Sequence, residues 1–276
     1  MRSLPVFMYH HINWHRGDLV TLTPEDFEHH LRFIRKAKIE SIFLDTAVEM
    51  LQRKRPWRKP SVVLTFDDGH LDNWVYAFPL LRKYEVKATI FIVTAWVTEG
   101  ERRGNSDGPP ERIPPIPLHR EVQREAGRGN GAVALRWSEI QAMEESGWVD
   151  IQSHGHFHHD YFEGQENDWR LRGDQREALE RDLKISKDQI ERKLQKKCRF
   201  LSWPWGKFDR QAIDLAKSLG FEAMVSTQKG VNPPGADVTA IKRVVAKSGR
   251  RWFPTRFRIY SNRALGEIYR RISGRI

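Results

Sequence analysis

Short apolar runs rich in β-branched residues recur along the chain. Between them lie longer stretches in which apolar positions fall three or four apart. The first pattern predicts strands and the second predicts amphipathic helices. Strands are expected at Leu4–Tyr9, Ser41–Leu44, Val62–Phe66, Ala88–Val93, Val149–Gln152, Phe200–Trp203, Glu222–Ser226 and Ile241–Val245. Thr23-Pro24-Glu25-Asp26 supplies an N-cap, a first-turn proline and first-turn acids, and Phe27, Leu31 and Ile34 follow at helical spacing. Ser138 is expected to cap a helix bearing Ile140 and Met143 and ended by Gly147. Residues 174–196 read as a long charged helix, with Leu179, Leu183, Ser186, Ile190 and Leu194 on one side. Asp209 to Leu219 is another helix, closed by Gly220.

Strand–helix alternation repeated over this length implies a parallel sheet, either a barrel or doubly wound. No glycine-rich phosphate loop follows any strand, which disfavours a nucleotide-binding sheet. A barrel gathers its active groups at the C-terminal ends of its strands. Asp67 and Asp68 stand at such an end, as do His10 and His11, His154 to His159, and Pro204-Trp205-Gly206. Residues 98–131 interrupt the alternation with Pro109-Pro110, Pro114-Pro115 and Arg128-Gly129-Asn130-Gly131. They are expected to form an inserted loop on the active-site face, either a lid or a mobile insertion.

Composition narrows the class. A chain of 276 residues with 39% hydrophobic and 30% charged residues is long enough for one large core. No stretch approaches 18 uninterrupted apolar residues. The beginning of the chain makes a poor signal peptide, so a cytoplasmic location is expected. Cys198 is the single cysteine, which excludes an internal disulfide and a cysteine-rich zinc site. The net charge of +11 is uneven. Residues 242–276 carry eleven basic side chains, Arg243 among them, against the single acid Glu267; the rest is near neutral.

The candidate chemistry lies in two segments. Val62-Val63-Leu64-Thr65-Phe66-Asp67-Asp68-Gly69 delivers two adjacent acids to a turn at a strand end. Adjacent residues there point in different directions, so one acid can bind a metal while the other faces water. The same adjacency argues against a glycosidase, whose carboxylates flank a bond about 5 Å or more apart. His154-Gly155-His156-Phe157-His158-His159 offers imidazoles. His154 and His158 are four apart and suit one side of a turn; His156 and His159 are the alternative pair. One carboxylate with two imidazoles points to a divalent metal, zinc by donor type. Trp203, Trp205 and Phe208 could stack on sugar faces.

These residues carry a resemblance. Thr65-Phe66-Asp67-Asp68-Gly69 resembles the first motif of the polysaccharide deacetylase family, the NodB-homology carbohydrate esterases. Ser153-His154-Gly155-His156-Phe157-His158 is similar to its second motif, and Leu201-Ser202-Trp203-Pro204-Trp205-Gly206 to its third. Tyr9-His10-His11 resembles the subgroup acting on biofilm-type and related N-acetylated glycans. The resemblance spans residues 4–245. It implies a distorted (β/α) barrel of about seven strands and removal of acetyl from an N-acetylated amino sugar. It further implies Asp67 as general base and Asp68, His154 and His158 as metal ligands. Trp203, Pro204 and Trp205 would meet the substrate, with a backbone N–H near Trp203 or Trp205 for the oxyanion.

Three departures stand out. Gly155 replaces the second motif's Ser/Thr, which is expected to loosen the histidine turn. Ser202 occupies the place of the third-motif arginine that orients the base. No histidine follows His159, so the family's late acid is missing, and His10 is assigned as its substitute.

The domain reading is a barrel over 1–245, with 98–131 inserted, and a basic amphipathic tail over 246–276. Arg250-Arg251-Trp252-Phe253 and Arg256-Phe257-Arg258-Ile259-Tyr260 interleave cations with large apolar groups. Leu265, Ile268, Tyr269 and Ile272 form a stripe opposite Arg263, Arg270 and Arg271. That pattern suits an anionic membrane surface, with peripheral attachment to the inner face of the cytoplasmic membrane. A lipid-linked or lipopolysaccharide-type acetamido sugar is then the favoured substrate. The competing functions are a catalytically weak or inactive glycan-binding barrel, and a nucleic-acid-binding protein driven by the tail.

Overall fold

The computed structural model describes residues 2–125, 132–165 and 168–273. The expected loop residues Arg128 to Gly131 and the tail cation Arg275 lie outside the described residues. In chain order the first strands are β1 (Val6–Tyr9), β2 (His11–Ile12), β3 (Thr21–Leu22), β4 (Glu40–Ser41), β5 (Ser61–Phe66) and β6 (Ala88–Ile92). Then come β7 (Val149–Ser153), β8 (Phe162–Gln165), β9 (Asp168–Leu171), β10 (Phe200–Ser202), β11 (Ala223–Val225) and β12 (Val244–Val245). The helices are α1 (Pro24–Lys36), α2 (Leu44–Leu51), α3 (Phe78–Lys83), α4 (His119–Glu125) and α5 (Trp137–Glu145). They continue with α6 (Arg176–Leu194), α7 (Arg210–Ser218), α8 (Trp252–Tyr260) and α9 (Arg263–Ser273).

Seven strands pair in the order β11-β10-β7-β6-β5-β1-β12, all parallel, with β4 alongside β5. A single parallel bridge, Val225 to Ile241, spans the gap between the two ends of this curled sheet. The expected distorted barrel of about seven strands is the architecture found. Every residue of β5 and β6 is buried, because sheet faces one way and helices cover the other. That double burial is why these strands read as unbroken apolar runs.

Local deviations have local causes. The strand expected over Ser41–Leu44 ends at Ser41, and Leu44 instead opens α2. Ser138 lies inside α5 rather than capping it. Glu139 reaches back to accept the Arg136 N–H at 2.9 Å, and the Ser138 hydroxyl donates to the Gly100 carbonyl at 2.6 Å. The antiparallel pair β8–β9, between the histidine turn and α6, was not anticipated.

The inserted segment is anchored at both described ends. The Arg103 guanidinium pairs with Glu139 at 2.7 Å, and that carboxylate is fully buried. Trp74 Nε1 donates to the Arg103 carbonyl at 2.8 Å. Farther on, Val122 of α4 packs with Val133 and Ala134.

The domain boundary placed at 245 cuts through the core. Phe253 and Tyr260 of α8 have no exposed surface, and Phe253 lies 4.4 Å from the Phe7 ring and 4.6 Å from the His30 ring. Apolar burial therefore makes α8 part of the barrel. Only α9 keeps the amphipathic character expected of the tail, with Leu265, Ile268 and Ile272 exposed. Among the described residues no helix is long and apolar enough to cross a membrane.

Candidate functional site

The C-terminal ends of β1, β5, β7 and β10 surround a cavity of about 450 Å³. Asp67 and Asp68 follow β5, His10 follows β1 and His154 follows β7; all four border it, together with His158. Convergence of separate strand ends on one pocket is the feature a barrel uses to build a site.

Asp67 is 2% exposed and bound face-on by a guanidinium. Arg243 Nη1 and Nη2 donate to Oδ1 and Oδ2, each at 2.7 Å. Arg243 Nη2 also donates to Ser202 Oγ at 3.0 Å, and its Nε to the Ser226 carbonyl at 2.9 Å. Burial pushes the Asp67 carboxyl up, but Arg243 and His154 outweigh it and hold the group below its ordinary value. Ser202 does occupy the expected arginine position. The cation arrives from the chain just before β12, 176 residues from Asp67. Arg243, counted in sequence as a tail charge, is thus a site residue.

Asp68, His154 and His158 each bring one ligand atom to within 4.8 Å of the others. The His154 Nδ1–H donates to the Ser202 carbonyl at 2.8 Å, which turns Nε2 toward Asp68 Oδ1, 3.2 Å away. His158 Nε2 lies 3.6 Å from the same oxygen. The other oxygen, Oδ2, lies 2.9 Å from His70 Nε2. Burial raises the Asp68 carboxyl, yet the bonds to His154 and His70 hold it well below its usual value. Burial lowers His154, but Asp67 and Asp68 carry it above the ordinary imidazole value. His158 is pushed down to about 4, chiefly by burial, so it is neutral at pH 7. A carboxylate and two imidazoles, one oriented through its second nitrogen, fit a divalent metal.

Backbone strain marks the site. Asp68, His158 and Trp205 have φ of 75°, 59° and 60°, a region non-glycine residues seldom enter. Gly155 does not loosen the histidine turn. Its φ is 77°, and a Cβ there would lie 2.6 Å from Asp182 Oδ2. That carboxylate accepts the N–H groups of His156 and Phe157 at 3.0 and 2.7 Å. Asp182 of α6 thus replaces the side chain that Gly155 lacks as the clamp on the turn.

The alternative ligand pair is not assembled. His156 Nδ1 bonds to Thr94 Oγ1 at 2.8 Å, and His159 stacks on Phe157. Of the three expected substrate contacts, Trp203 and Trp205 border the pocket and Pro204 does not. Trp203 is 1% exposed and stacks with Phe208, and Pro204 is buried. Trp205, 55% exposed and 4.9 Å from the His158 ring, keeps an open face.

A match between residues 54–224 and the family model for polysaccharide deacetylase covers well over half of the chain. The chain belongs to the polysaccharide deacetylase family. With membership comes the family's chemistry, metal-dependent hydrolytic removal of acetyl groups from carbohydrate. Among relatives, YxkH of Bacillus subtilis is 25% identical over 248 residues, which are 90% of this chain and 72% of that protein. The poly-beta-1,6-N-acetyl-D-glucosamine N-deacetylase of Staphylococcus epidermidis is 23% identical over 83% of this chain and 68% of its own length. The Streptococcus pyogenes deacetylase PplD shares the fold with a TM-score of 0.73 at 18% identity, over 94% of this chain and 98% of that one.

Several residues of this deacetylase site escaped the sequence reading. Arg243 sits among many cations with nothing local to distinguish it. His70 and Trp96 border the pocket, and their rings lie 6.4 Å apart. His70 had a readable signal, two residues beyond Asp68; Trp96 and Arg243 had none.

Proposed function

We propose that this deacetylase hydrolyses the acetamido group of an N-acetylated hexosamine in a glycan, with Asp67 as general base and His10 as general acid. The observation that carries the reading is the Asp67–Arg243 pair set beside the Asp68, His154 and His158 cluster in one pocket. A bound divalent ion, zinc by the donor set, would polarise the acetyl carbonyl and favour ionised water at neutral pH. Asp67, kept ionised by Arg243, takes a proton from the water that attacks the carbonyl carbon. The C–N bond then breaks, and His10 donates a proton to the departing amine. Burial holds the His10 imidazole below its ordinary value, and Asp68 and Asp67 offset that only in part. The Trp205 backbone N–H, with no acceptor among the described residues, is suited to the oxyanion; its indole N–H is already donated to the His158 carbonyl at 3.3 Å. The exposed Trp205 ring is suited to the sugar face.

The staphylococcal relatives named for poly-β-1,6-N-acetylglucosamine support a glucosamine polymer as substrate. A lipid-linked or lipopolysaccharide-type sugar is the second substrate class, favoured by α9. Its exposed Leu265, Ile268 and Ile272 lie beside Arg270 and Arg271, a pattern that supports attachment to an anionic bilayer.

Elemental analysis tests the centre. The reading predicts about one divalent ion per chain in wild type and its loss in both Asp68→Ala and His154→Ala. Full occupancy retained in either variant would show that these residues are not the ligands.

A further inference from the structure

The inserted segment reaches the pocket through one polar side chain that the reaction above does not use. His119 opens α4 and borders the cavity, with Val122 beside it. Its Nδ1 lies 3.2 Å from His11 Nε2, and His11 Nδ1 lies 2.8 Å from the Asp72 carboxylate. That carboxylate also accepts from Asn13 Nδ2 at 2.6 Å, and the His11 ring stacks on His70 with centroids 3.7 Å apart. His11 is 1% exposed and has no freedom to turn. The line from Asp72 through His11 therefore fixes the His119 ring. Its Nε2, on the other edge, makes no hydrogen bond among the described residues. The neighbouring backbone is held as well, since His15 Nε2 donates to the Ile116 carbonyl at 2.7 Å.

Pockets for sugars and other small ligands pair apolar walls with a few placed polar groups that fix orientation. Here Trp96, Val122 and Trp205 supply apolar wall. Asp67, Asp68, His10, His154 and His158 are committed to the chemistry. His119 is an imidazole on the same cavity left for recognition.

We infer that His119 hydrogen-bonds a hydroxyl of the sugar whose acetamido group lies at Asp67 and Asp68, and so sets affinity for the glycan. This rests on the deacetylase reading of the pocket. The measurement is acetate release from an N-acetylglucosamine oligomer by the metal-loaded full chain. It compares wild type with His119→Ala, His119→Leu and His119→Gln, with melting temperatures followed in parallel. Loss of one such bond raises KM about tenfold in the Ala and Leu variants. The Gln variant, which keeps a donor and an acceptor, recovers most of that loss. A Leu variant as good as the Gln variant would assign His119 to wall packing and overturn the inference, as would unchanged KM in all three. A metal-loaded wild type that releases no acetate from any N-acetylated glycan overturns the deacetylase reading, and this inference with it. A wild type that does release acetate, without the Ala–Gln difference, overturns this inference alone.

Discussion

A buried carboxylate is useful as a base only if something keeps it ionised, and in this site that is Arg243. Its planar fork matches both oxygens of Asp67, which a lysine ammonium cannot do. Arg243→Lys is therefore expected to lower kcat by roughly tenfold, part of the ~10²–10⁴ that a base contributes. Arg243 lowers the Asp67 carboxyl, so weakening the pair raises it. The acidic limb of the pH–rate profile then moves to higher pH. An unshifted limb would mean that Arg243 does not tune the base. Arg243→Met should also cost about 3–5 kcal/mol of stability in denaturant unfolding, because it strands a buried charge. At this scale the sequence was half legible. Asp67, Asp68, His154 and His158 stand in motifs a few residues long. Arg243 meets Asp67 only through the closure of the sheet, and among eleven basic residues it looked like one more surface charge. Trp203 and Trp205 share a residue type two positions apart; only the left-handed turn at Trp205 decides which faces outward.

Elements differed in legibility for a physical reason. Strands covered on both faces give unbroken apolar runs, and β5, β6 and β7 were found close to where those runs lie. Helix α4 hides in a segment dense in prolines, and its burial comes from distant Val133 and Ala134. Helix α8 looked like a surface element because its arginines alternate with its aromatics; the aromatics in fact seal the barrel against α1. That seam carries a pH prediction. His30 of α1 is 1% exposed, with its Nδ1 3.0 Å from Tyr9 Oη, and burial pushes its pKa down to about 3. The unfolded chain protonates this side chain near 6.5. Between those values the unfolded state binds the extra proton, so His30's contribution is complete above about 6.5 and is lost as pH falls toward about 3. Within that window the slope is about 1.4 kcal/mol per pH unit. His30→Gln, neutral at every pH, should show a flatter decline in unfolding free energy than wild type. Equal slopes would place the protonation elsewhere.

On the scale of the whole molecule, the charge that looked like a separate tail divides into three parts. Arg243 serves the site, Arg256 lies over the Trp252 and Tyr269 rings, and α9 carries exposed cations beside an apolar stripe. Gly266 seats α9 on the body, since a Cβ there would lie 2.2 Å from Val231 Cγ1. Removing everything after 245 would strip Phe253 and Tyr260 from the core, so truncation cannot test the membrane proposal. Joint replacement of Leu265, Ile268 and Ile272 by serine can. The expected result is flotation of wild type with anionic vesicles, weakened by salt and lost in the triple variant. Equal flotation of both would remove α9 from the account. The barrel itself was legible from strand–helix alternation, whereas the domain limit was not, because composition changes at 245 and packing does not.

The central claim is that Asp67, beside the Asp68–His154–His158 cluster, activates water for deacetylation. The most direct measurement is acetate release from an N-acetylglucosamine oligomer by metal-loaded wild type, Asp67→Asn and His10→Ala. The account predicts release by wild type, a loss of roughly 10²–10⁴ in Asp67→Asn with metal retained, and a clear loss in His10→Ala. Undiminished release from Asp67→Asn would contradict it.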